Sequence, residues 1–544
     1  MSLTGKPNKG ESSMTLKWVK LLAGASLLAG IGAGCGSNAE KPAGEAPADS
    51  TAPAAGPVQL TYWVGLPADA ARSLKNYGES LMYQELEKRT GVKISFQHPA
   101  AGSEKEQFNL MIASGKLPDV IESNFVNYPG GPEKAIADKV LIPLNDIIDK
   151  YAPNLKAYLD KNPAIRKDIS TDSGLIYAFP GIGVGNTNVS SGLVLRKDWL
   201  TELNLAVPET IEEWTQVLRQ FKEKKGVKTP LTMVMSDFNA DRFTGAYGIA
   251  DAFFQDGGKA KFGPYEPAYK DYLAQMNAWY KEGLLDPDFG TQDAKSKDAK
   301  ITNGTAGAYA GYIGGGIGKY LPAAQGANPA YDLVGTQHPV LKKGDQPKIF
   351  LAAYSYRGDG SAGITPANKN PEATAKWLDY FYSEEGNMLK SFGVEGVTYT
   401  MVNGQPKYTD LIMKNPDKLS VGEAMSKYLR VSQPAPGFVG DDRYYDQYYS
   451  YEQQKQASAV YNKYYENVTK TRMPQVSQTP DEAQELASIM AEIDTYKSEM
   501  FLKFIMGAEP LTNFDKYRDQ LKKLGVERAV ALKQAALDRY NSRK

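Results

Sequence analysis

From Val58 onward, short runs of alternating apolar residues take turns with helical segments, and this order constrains the fold more than any other feature. The alternation predicts strands at Val58–Tyr62 and Val92–Phe96 and a short buried strand at Val120–Ile121. Helical patterns lie between them, around residues 81–88 and 105–114. Strand–helix–strand repeats predict a parallel sheet with right-handed crossovers, in which ligands bind beyond the carboxyl ends of the strands. The predicted fold class is therefore α/β.

A second α/β block begins near Leu193–Leu195 and contains a clear helix start. Thr210 and Glu213 have the spacing of a capping box, and the apolar residues after them fall on one helical face. Trp214 lies on that face, so we interpret it as a core residue. A similar start at Asn370, followed by proline, predicts another helix. The last sixty or so residues are predicted to be helical and amphipathic.

The segment before Val58 has the features of a targeting sequence. An uncharged run from Leu21 to Gly34 follows two lysines, and it is too short to span a membrane but suits a signal peptide. Small residues before Cys35 resemble a bacterial lipobox, which predicts a lipoprotein signal peptide over 1–35 with lipidation at Cys35. Gly32 stands where a lipobox usually has leucine, and an ordinary secreted protein with an incidental cysteine is the alternative. Residues 36–57 lack aromatic residues and are rich in Ala, Pro and Gly, which predicts a disordered tether.

Composition excludes several classes of protein. Lys and Arg number 63 and Asp and Glu also number 63, so the basic footprint of a nucleic-acid-binding protein is missing. One cysteine and two histidines allow neither a disulfide within the chain nor a zinc site built from such residues. We expect no metal and no cofactor.

A series of motifs runs along the chain in a fixed order. They are Gly115–Ile121, Tyr177–Pro180, Leu195–Leu200 with Pro208–Thr210, Asp286–Phe289, Tyr354–Ile364, Asn370–Trp377, Phe392–Tyr399, and Lys503–Gly507 with Pro510–Leu511. In this order they resemble the family 1 extracellular solute-binding proteins of bacterial ABC sugar importers, and the later motifs resemble the large LplA/LipO-type lipoproteins. Each motif alone is weak, but their order is specific and covers nearly all of residues 58–544.

This resemblance implies a two-lobed periplasmic-binding-protein-like fold of class II, with hinge crossovers and a helical C-terminal region. Lobe 1 is predicted to comprise 58–185 and 361–395, and lobe 2 to comprise 186–360 and 396–544 with the C-terminal helices. The crossovers would lie near 177–191, 348–361 and 393–401. Glycines at 181, 183 and 185 suit a hinge, because glycine absorbs large backbone changes.

Candidate ligand-binding residues come from strand ends, a glycine-rich loop and the family motifs. Tyrosine numbers 34 and tryptophan 6, and such rings suit a sugar, whose C–H face is apolar and whose rim carries hydroxyl groups. The candidates are Trp63, Asn124, Phe125, Tyr312, Arg357, Glu395 and Tyr399; for each, lobe packing or a hinge role is the alternative. Eight tyrosines between 444 and 465 are interpreted mostly as helix packing, with one or two reaching the cleft.

Three segments resemble known catalytic or metal-binding motifs, but each lacks residues that its motif requires. The segment Gly315–Lys319 resembles a phosphate loop but has Tyr320 where Ser or Thr should hold magnesium. Ser361 has Asp359 two positions before it rather than the glycine of a nucleophile elbow. The segment Asp168–Gly174 begins like a calcium loop but lacks the glycine and glutamate that an EF-hand requires. No catalytic residue is predicted, so we expect a non-enzyme.

These observations predict the substrate-binding lipoprotein of an ABC importer, anchored to the cell membrane through Cys35 and facing the extracellular side. It would capture an oligosaccharide by lobe closure and deliver it to the permease subunits. The resemblance implies uronate-bearing fragments of plant polysaccharides as one class of ligand. We expect a monomer without nucleic-acid partners. The alternatives are the same architecture binding a peptide or other small polar solute, and a secreted glycoside hydrolase, which would need two carboxylates about 5–9.5 Å apart.

Overall fold

The computed structural model describes residues 58–185, 188–348, 356–431 and 435–543. The predicted signal peptide, the tether and Cys35 lie outside the described residues, as do parts of the first two predicted crossovers. No helix in the described ranges is both long and apolar enough to cross a membrane.

Within the described residues, fourteen strands form four sheets. They are β1 (Val58–Trp63), β2 (Val92–Gln97), β3 (Val120–Glu122), β4 (Phe179–Gly183), β5 (Ser191–Arg196), β6 (Thr229–Thr232), β7 (Phe253–Asp256), β8 (Lys259–Phe262), β9 (Ala306–Tyr312), β10 (Leu333–Thr336), β11 (Tyr356–Ile364), β12 (Tyr399–Val402), β13 (Gln405–Tyr408) and β14 (Gly437–Val439).

Helices fill the intervals between the strands and the whole C-terminal region. They are α1 (Ala68–Ala71), α2 (Leu81–Thr90), α3 (Glu104–Ser114), α4 (Gly131–Ala137), α5 (Asn145–Tyr151), α6 (Pro153–Lys161), α7 (Pro163–Ile169), α8 (Lys197–Glu202), α9 (Ile211–Lys225), α10 (Met235–Phe238), α11 (Tyr269–Lys281), α12 (Ala294–Thr302), α13 (Gly318–Gln325), α14 (Pro371–Asp379), α15 (Glu384–Phe392), α16 (Asp410–Met413), α17 (Val421–Tyr428), α18 (Asp442–Tyr448), α19 (Glu452–Asn462), α20 (Val468–Thr471), α21 (Pro480–Met506), α22 (Phe514–Lys523) and α23 (Val526–Ser542).

The first lobe is built on a six-stranded sheet with the order β14-β4-β11-β3-β1-β2. Strand β1 pairs in parallel with both β2 and β3, as the strand–helix–strand pattern predicts. Strand β11 runs antiparallel between β3 and β4, and β14 adds in parallel at the edge. The ends of β1, β3 and β4 therefore meet at one edge of the sheet, where ligands of α/β proteins bind.

The second lobe is built on a four-stranded sheet with the order β10-β5-β9-β6. Helix α9 covers it, and the predicted capping box is confirmed: Thr210 accepts from the Glu213 N–H, and Glu213 accepts from the Thr210 N–H. Trp214 is fully buried, as its helical position predicts. The second predicted helix start is also present, although the Asn370 side chain makes no capping hydrogen bond.

The sheets divide the chain differently from the predicted lobes at one boundary. The prediction assigns everything after residue 395 to lobe 2, yet β14 pairs with β4 in the first sheet. Helix α17 also packs on α1 and α2, which belong to that lobe. The last crossover of the chain from the first lobe to the second therefore comes after Val439. Strand β14 has three residues, too few for an alternating pattern to be recognised in the sequence.

The C-terminal helices pack mainly on the second lobe. Helix α19 lies on β10, α21 lies along α11, and α23 contacts α21 and β8. The far end of α23 reaches the first lobe, where Tyr540 donates to Asp168 at 2.5 Å. One helix thus contacts both lobes.

Candidate functional site

A cavity of about 1050 Å³ lies where the edges of the two sheets face each other. Residues of both lobes and of the C-terminal helices line it. They are Asp69, Asn124, Val126, Asn127, Asn188, Val189, Ser190, Ser191, Ala252, Phe253, Tyr312, Gly314, Gly315, Tyr356, Gly358, Gly422, Val431, Val439, Gly440, Tyr444, Tyr445, Tyr448, Tyr449, Met473, Pro474, Gln475, Val476 and Lys533. This volume suits a ligand of several hundred daltons, because small-molecule sites span about 300–1,000 Å³.

The first lobe contributes polar groups from the end of β3 and from β11. Asn124 caps the turn after β3, and its Oδ1 accepts from the Val126 N–H at 3.2 Å. Its amide nitrogen is the group that remains to donate toward the cavity. Tyr356 lines the wall at the start of β11, and Gln475 Nε2 donates to its carbonyl oxygen at 3.1 Å.

The second lobe contributes Ser191 at the start of β5 and Tyr312 at the end of β9, which pair in register. The Tyr312 side chain is 65% exposed, so its ring projects into the open part of the cavity. Glycines at 314 and 315 follow it in a π-helical turn, Ile313–Ile317. A Cβ at Gly315 would meet nothing within 4 Å, so the space beside Tyr312 is open to a ligand.

A buried guanidinium lies behind Ser191. Arg242 Nη1 donates to the Ser191 carbonyl oxygen at 3.0 Å, and Nη2 donates to Ser191 Oγ at 2.8 Å. Because Oγ accepts from a cation, the Ser191 hydroxyl proton is left to donate to another group. Arg242 therefore orients Ser191 as a donor toward the cavity.

Four tyrosines of α18 and its end form a stacked aromatic wall: Tyr444, Tyr445, Tyr448 and Tyr449. Ring centroids of Tyr444 and Tyr448 are 5.4 Å apart and nearly parallel, and those of Tyr445 and Tyr449 are 5.2 Å apart. The sequence predicts that one or two of this group reach a cleft, and all four line the cavity. Pairs separated by four residues share a helical face, so one helix presents two adjacent rows of rings.

The seven predicted site residues lie in different surroundings. Asn124 and Tyr312 line the cavity. Trp63 and Phe125 are core residues instead: Trp63 packs on Phe108, and Phe125 has no exposed surface and packs on Tyr177. Both lie at or just beyond strand ends, but strands of a sheet that is covered on both faces bury their side chains.

Of the remaining three, Glu395 and Tyr399 are not among the described residues that line the cavity. Glu395 is exposed, and its backbone forms an isolated bridge with Tyr399. Tyr399 is 8% exposed and packs on Phe392. The backbone of Arg357 pairs with Gly181 in the first sheet, and its side chain lies outside the described part.

Sequence reasoning missed Ser191 and Lys533. Ser191 is the first residue of a strand and has no motif around it, and Lys533 occupies one of several cationic positions in an amphipathic helix. Neither histidine lines the cavity. His338 is buried, and burial together with nearby Arg242 lowers its pKa to about 3.

Comparisons with known proteins agree on one kind of molecule. The sequence profile described as bacterial extracellular solute-binding protein matches residues 71–388. The fructooligosaccharide ABC transporter substrate-binding protein FusA of Streptococcus pneumoniae is 28% identical over 88% of this chain and 90% of its own. Lipoprotein LipO of Bacillus subtilis is 24% identical over 69% of this chain and 73% of its own.

Solved structures share the fold. The alginate-binding protein AlgQ2 superposes with a TM-score of 0.73 and 28% identity, covering 89% of this chain and 98% of AlgQ2. FusA in complex with kestose superposes with a TM-score of 0.71 and 26% identity, covering 89% of this chain and all of FusA. The predicted class, a two-lobed periplasmic-binding-protein-like fold, is confirmed.

The AlgQ2 structure is described as being without calcium ion, and another FusA structure as that of an EF-hand mutant. The calcium-like loop of this chain, Asp168–Gly174, does not fit such an ion, because cationic side chains of α23 and its end already occupy its oxygen atoms. Arg543 donates to Asp172 Oδ1 and to the Ser170 carbonyl oxygen, at 2.9 and 2.7 Å. Arg539 donates to Asp172 Oδ2 at 2.7 Å. The described residues contain no group of three or more His, Cys, Asp or Glu side chains placed to hold a metal ion.

We expect Arg543→Met to lower the free energy of unfolding by about 2 kcal/mol, because several charge-assisted hydrogen bonds of a nearly buried side chain are lost. Urea denaturation measures this. Arg528→Met on the same helix is the control: its ion pair with Glu485 is exposed and should contribute less than about 1 kcal/mol. Neither calcium nor a chelator should change the urea transition of either variant. A rise in stability on adding calcium would contradict the interpretation that arginine side chains occupy the oxygen atoms that a metal ion would need.

Proposed function

Because the chain belongs to the family of bacterial extracellular solute-binding proteins, we propose that it is the substrate-binding lipoprotein of an ABC sugar importer. It captures an oligosaccharide in the cavity between its lobes, closes on it and presents it to the permease subunits. The observation that carries this proposal is the combination of a stacked tyrosine wall with hydroxyl and amide donors from both lobes around one cavity of about 1050 Å³.

The chemistry of the cavity wall supports a sugar. Tyrosine rings offer apolar faces to C–H groups, while Ser191 and Asn124 offer donors for hydroxyl and ring oxygens. Because these groups come from different lobes, a ligand that contacts both favours the closed state over the open one. FusA, named as a fructooligosaccharide-binding protein, and AlgQ2, named as alginate-binding, support the same class of ligand.

A membrane anchor at Cys35 completes the proposal. The relative LipO is named as a lipoprotein, which supports lipidation of the small-residue motif that ends at this cysteine. The acyl groups would hold the protein at the outer face of the cell membrane, near the permease. We propose that it acts there as a monomer.

The alternative of a glycoside hydrolase finds little support in the cavity. Such an enzyme needs two carboxylates about 5–9.5 Å apart across the bond that is cleaved. Among the described residues that line the cavity, Asp69 is the one carboxylate. A peptide ligand remains the second candidate within the same architecture, because backbone amides could also use the Ser191 and Asn124 donors.

A thermal-shift screen of the full chain against neutral and uronate-bearing oligosaccharides tests the function, with each sugar recovered and checked for cleavage. A ligand at 100 times its Kd adds about 2.7 kcal/mol to stability, which is readily detected. We expect a shift with intact sugar, together with a smaller radius of gyration in solution scattering as the lobes close. Cleaved sugar would favour the hydrolase, and stabilisation by peptides alone would favour the second candidate.

Replacing Tyr312 by alanine should weaken binding of such a sugar about tenfold, because an exposed aromatic platform is lost. The stability of the free protein should change by less than about 0.5 kcal/mol, since the ring is 65% exposed. Isothermal titration calorimetry measures the affinity. Leu341→Ala, which removes another exposed apolar side chain away from the cavity, should leave affinity unchanged. Unaltered affinity in Tyr312→Ala would remove this residue from the site.

A further inference from the structure

Among the described residues that line the cavity, Lys533 is the one cation. It lies in the middle of α23, and Phe253, Met473 and Val476, which also line the cavity, form an apolar cluster with Ala536 and Leu537 of the same helix. Its Nζ lies 5.6 Å from the centroid of the Phe253 ring, a cation–π contact. These neighbours are apolar, so they offer the ammonium group no hydrogen-bond acceptor from their side chains.

Lys533 has no counter-charge among the residues that the structure describes. Within that part of the chain its ammonium group forms neither an ion pair nor a hydrogen bond, and burial lowers its pKa. Asp69, the carboxylate in the described cavity wall, lies near Tyr448, whose pKa it helps to raise. The positive charge of Lys533 is therefore stabilised by the face of the Phe253 ring and by whatever ligand occupies the cavity.

Other lysines that are shielded from solvent have hydrogen-bond or ion-pair partners. Lys297 pairs with Asp237 at 2.8 Å, Lys300 with Asp286 at 2.8 Å, and Lys497 with Asp251 at 3.0 Å. Lys390 donates to two backbone carbonyl oxygens. Removing a cation from water without such partners costs free energy, and an apolar residue would fill the same wall without that cost. A ligand that supplies the missing acceptor accounts for Lys533.

We propose that Lys533 is a specificity-determining residue that pairs with a carboxylate of the bound oligosaccharide, so that the cavity prefers uronate-bearing sugars over their neutral counterparts. This inference rests on the proposed function, because it assigns the ligand class of the same cavity. A charge-assisted hydrogen bond in a partly dehydrated site is about twice as strong as a neutral one. Neutral hydroxyl groups at the same place would leave the ammonium group incompletely compensated.

The test compares matched ligands on matched variants. Uronate-containing oligosaccharides from pectin, alginate and glucuronoxylan are each paired with the same sugar after reduction of its carboxyl groups to alcohols. Calorimetry gives Kd for the full chain, for Lys533→Met and for Lys533→Arg. Lys523→Met, which removes the same charge from an exposed position on α22, is the control.

We expect the unaltered protein to bind at least one acidic sugar about tenfold or more tightly than its reduced form. Lys533→Met should abolish that ratio by weakening the acidic sugar alone, with the reduced form changed by less than about twofold. Lys533→Arg should keep most of the ratio, and Lys523→Met should keep all of it.

Two results would overturn the inference while the proposed function stands. The unaltered protein could bind reduced or neutral sugars, kestose included, as tightly as acidic ones. Alternatively, Lys533→Met could weaken acidic and reduced forms equally, which would make the lysine a packing residue. Failure of every acidic and neutral sugar to bind would contradict the proposed function and the inference together.

Discussion

Arg430→Met is expected to lower the free energy of unfolding by about 3–5 kcal/mol. Arg430 Nη2 donates to Glu122 Oε1 at 2.6 Å, and the two side chains are only 4% and 3% exposed. Tyr62 donates to the other carboxylate oxygen at 2.8 Å, and the guanidinium lies 4.2 Å from the Tyr77 ring centroid. Removing the arginine leaves a buried carboxylate without its cation, which is far more costly than exchanging the pair for apolar residues.

Urea denaturation of Arg430→Met and of the double variant Glu122→Gln/Arg430→Met measures this effect. The double variant should recover a substantial part of the loss, because no uncompensated charge remains. If both variants lost the same free energy of unfolding, the packing of the aliphatic part of Arg430, rather than its charge, would be what stabilises the fold. The pair also fixes two cavity residues, since Asn124 follows Glu122 closely and Val431 follows Arg430.

Gly185→Ala should cost about 3 kcal/mol and weaken ligand binding in the same variant. A Cβ at Gly185 would lie 1.6 Å from the carbonyl oxygen of Gly440, so two connecting segments that leave the first sheet side by side could not keep their spacing. The Val184 N–H donates to the Val439 carbonyl oxygen at 3.0 Å just before this point. The obstacle is backbone, which cannot swing aside as a side chain would.

Gly65→Ala is the matched control, because a Cβ there meets nothing within 4 Å and its backbone does not need glycine. It should change stability by less than about 1 kcal/mol. Denaturation and calorimetry on both variants separate the two effects. A Gly185→Ala protein with normal stability and normal affinity would show that the two segments separate freely, contrary to the close crossing.

The regular elements of this fold could be predicted because their signals are local. Alternation located β1, β2 and β3 to within one or two residues, and the Thr210 capping box fixed the start of α9. The edge strand β14 could not be predicted, since its position depends on pairing with a strand more than two hundred and fifty residues earlier. Such pairing leaves no periodic trace in three residues.

The cavity was predicted less completely, for a physical reason. Its wall combines residues from many distant parts of the chain, and only the folded structure brings Asn124, Ser191, the α18 tyrosines and Lys533 together. Aromatic residues near strand ends serve equally well as core, as Trp63 and Phe125 do. The tyrosines of α18 have a helical spacing that fits packing and lining alike, so spacing alone could not separate the two.

The order β14-β4-β11-β3-β1-β2 also bears on how the molecule comes to be folded. Its strands begin at Val58 and end at Val439, so the sheet cannot be completed until most of the chain has been synthesised. Contacts between such distant residues raise the contact order and slow folding. A polypeptide that completes its central sheet late stays unfolded for longer during its synthesis, which suits a member of a family of extracellular proteins.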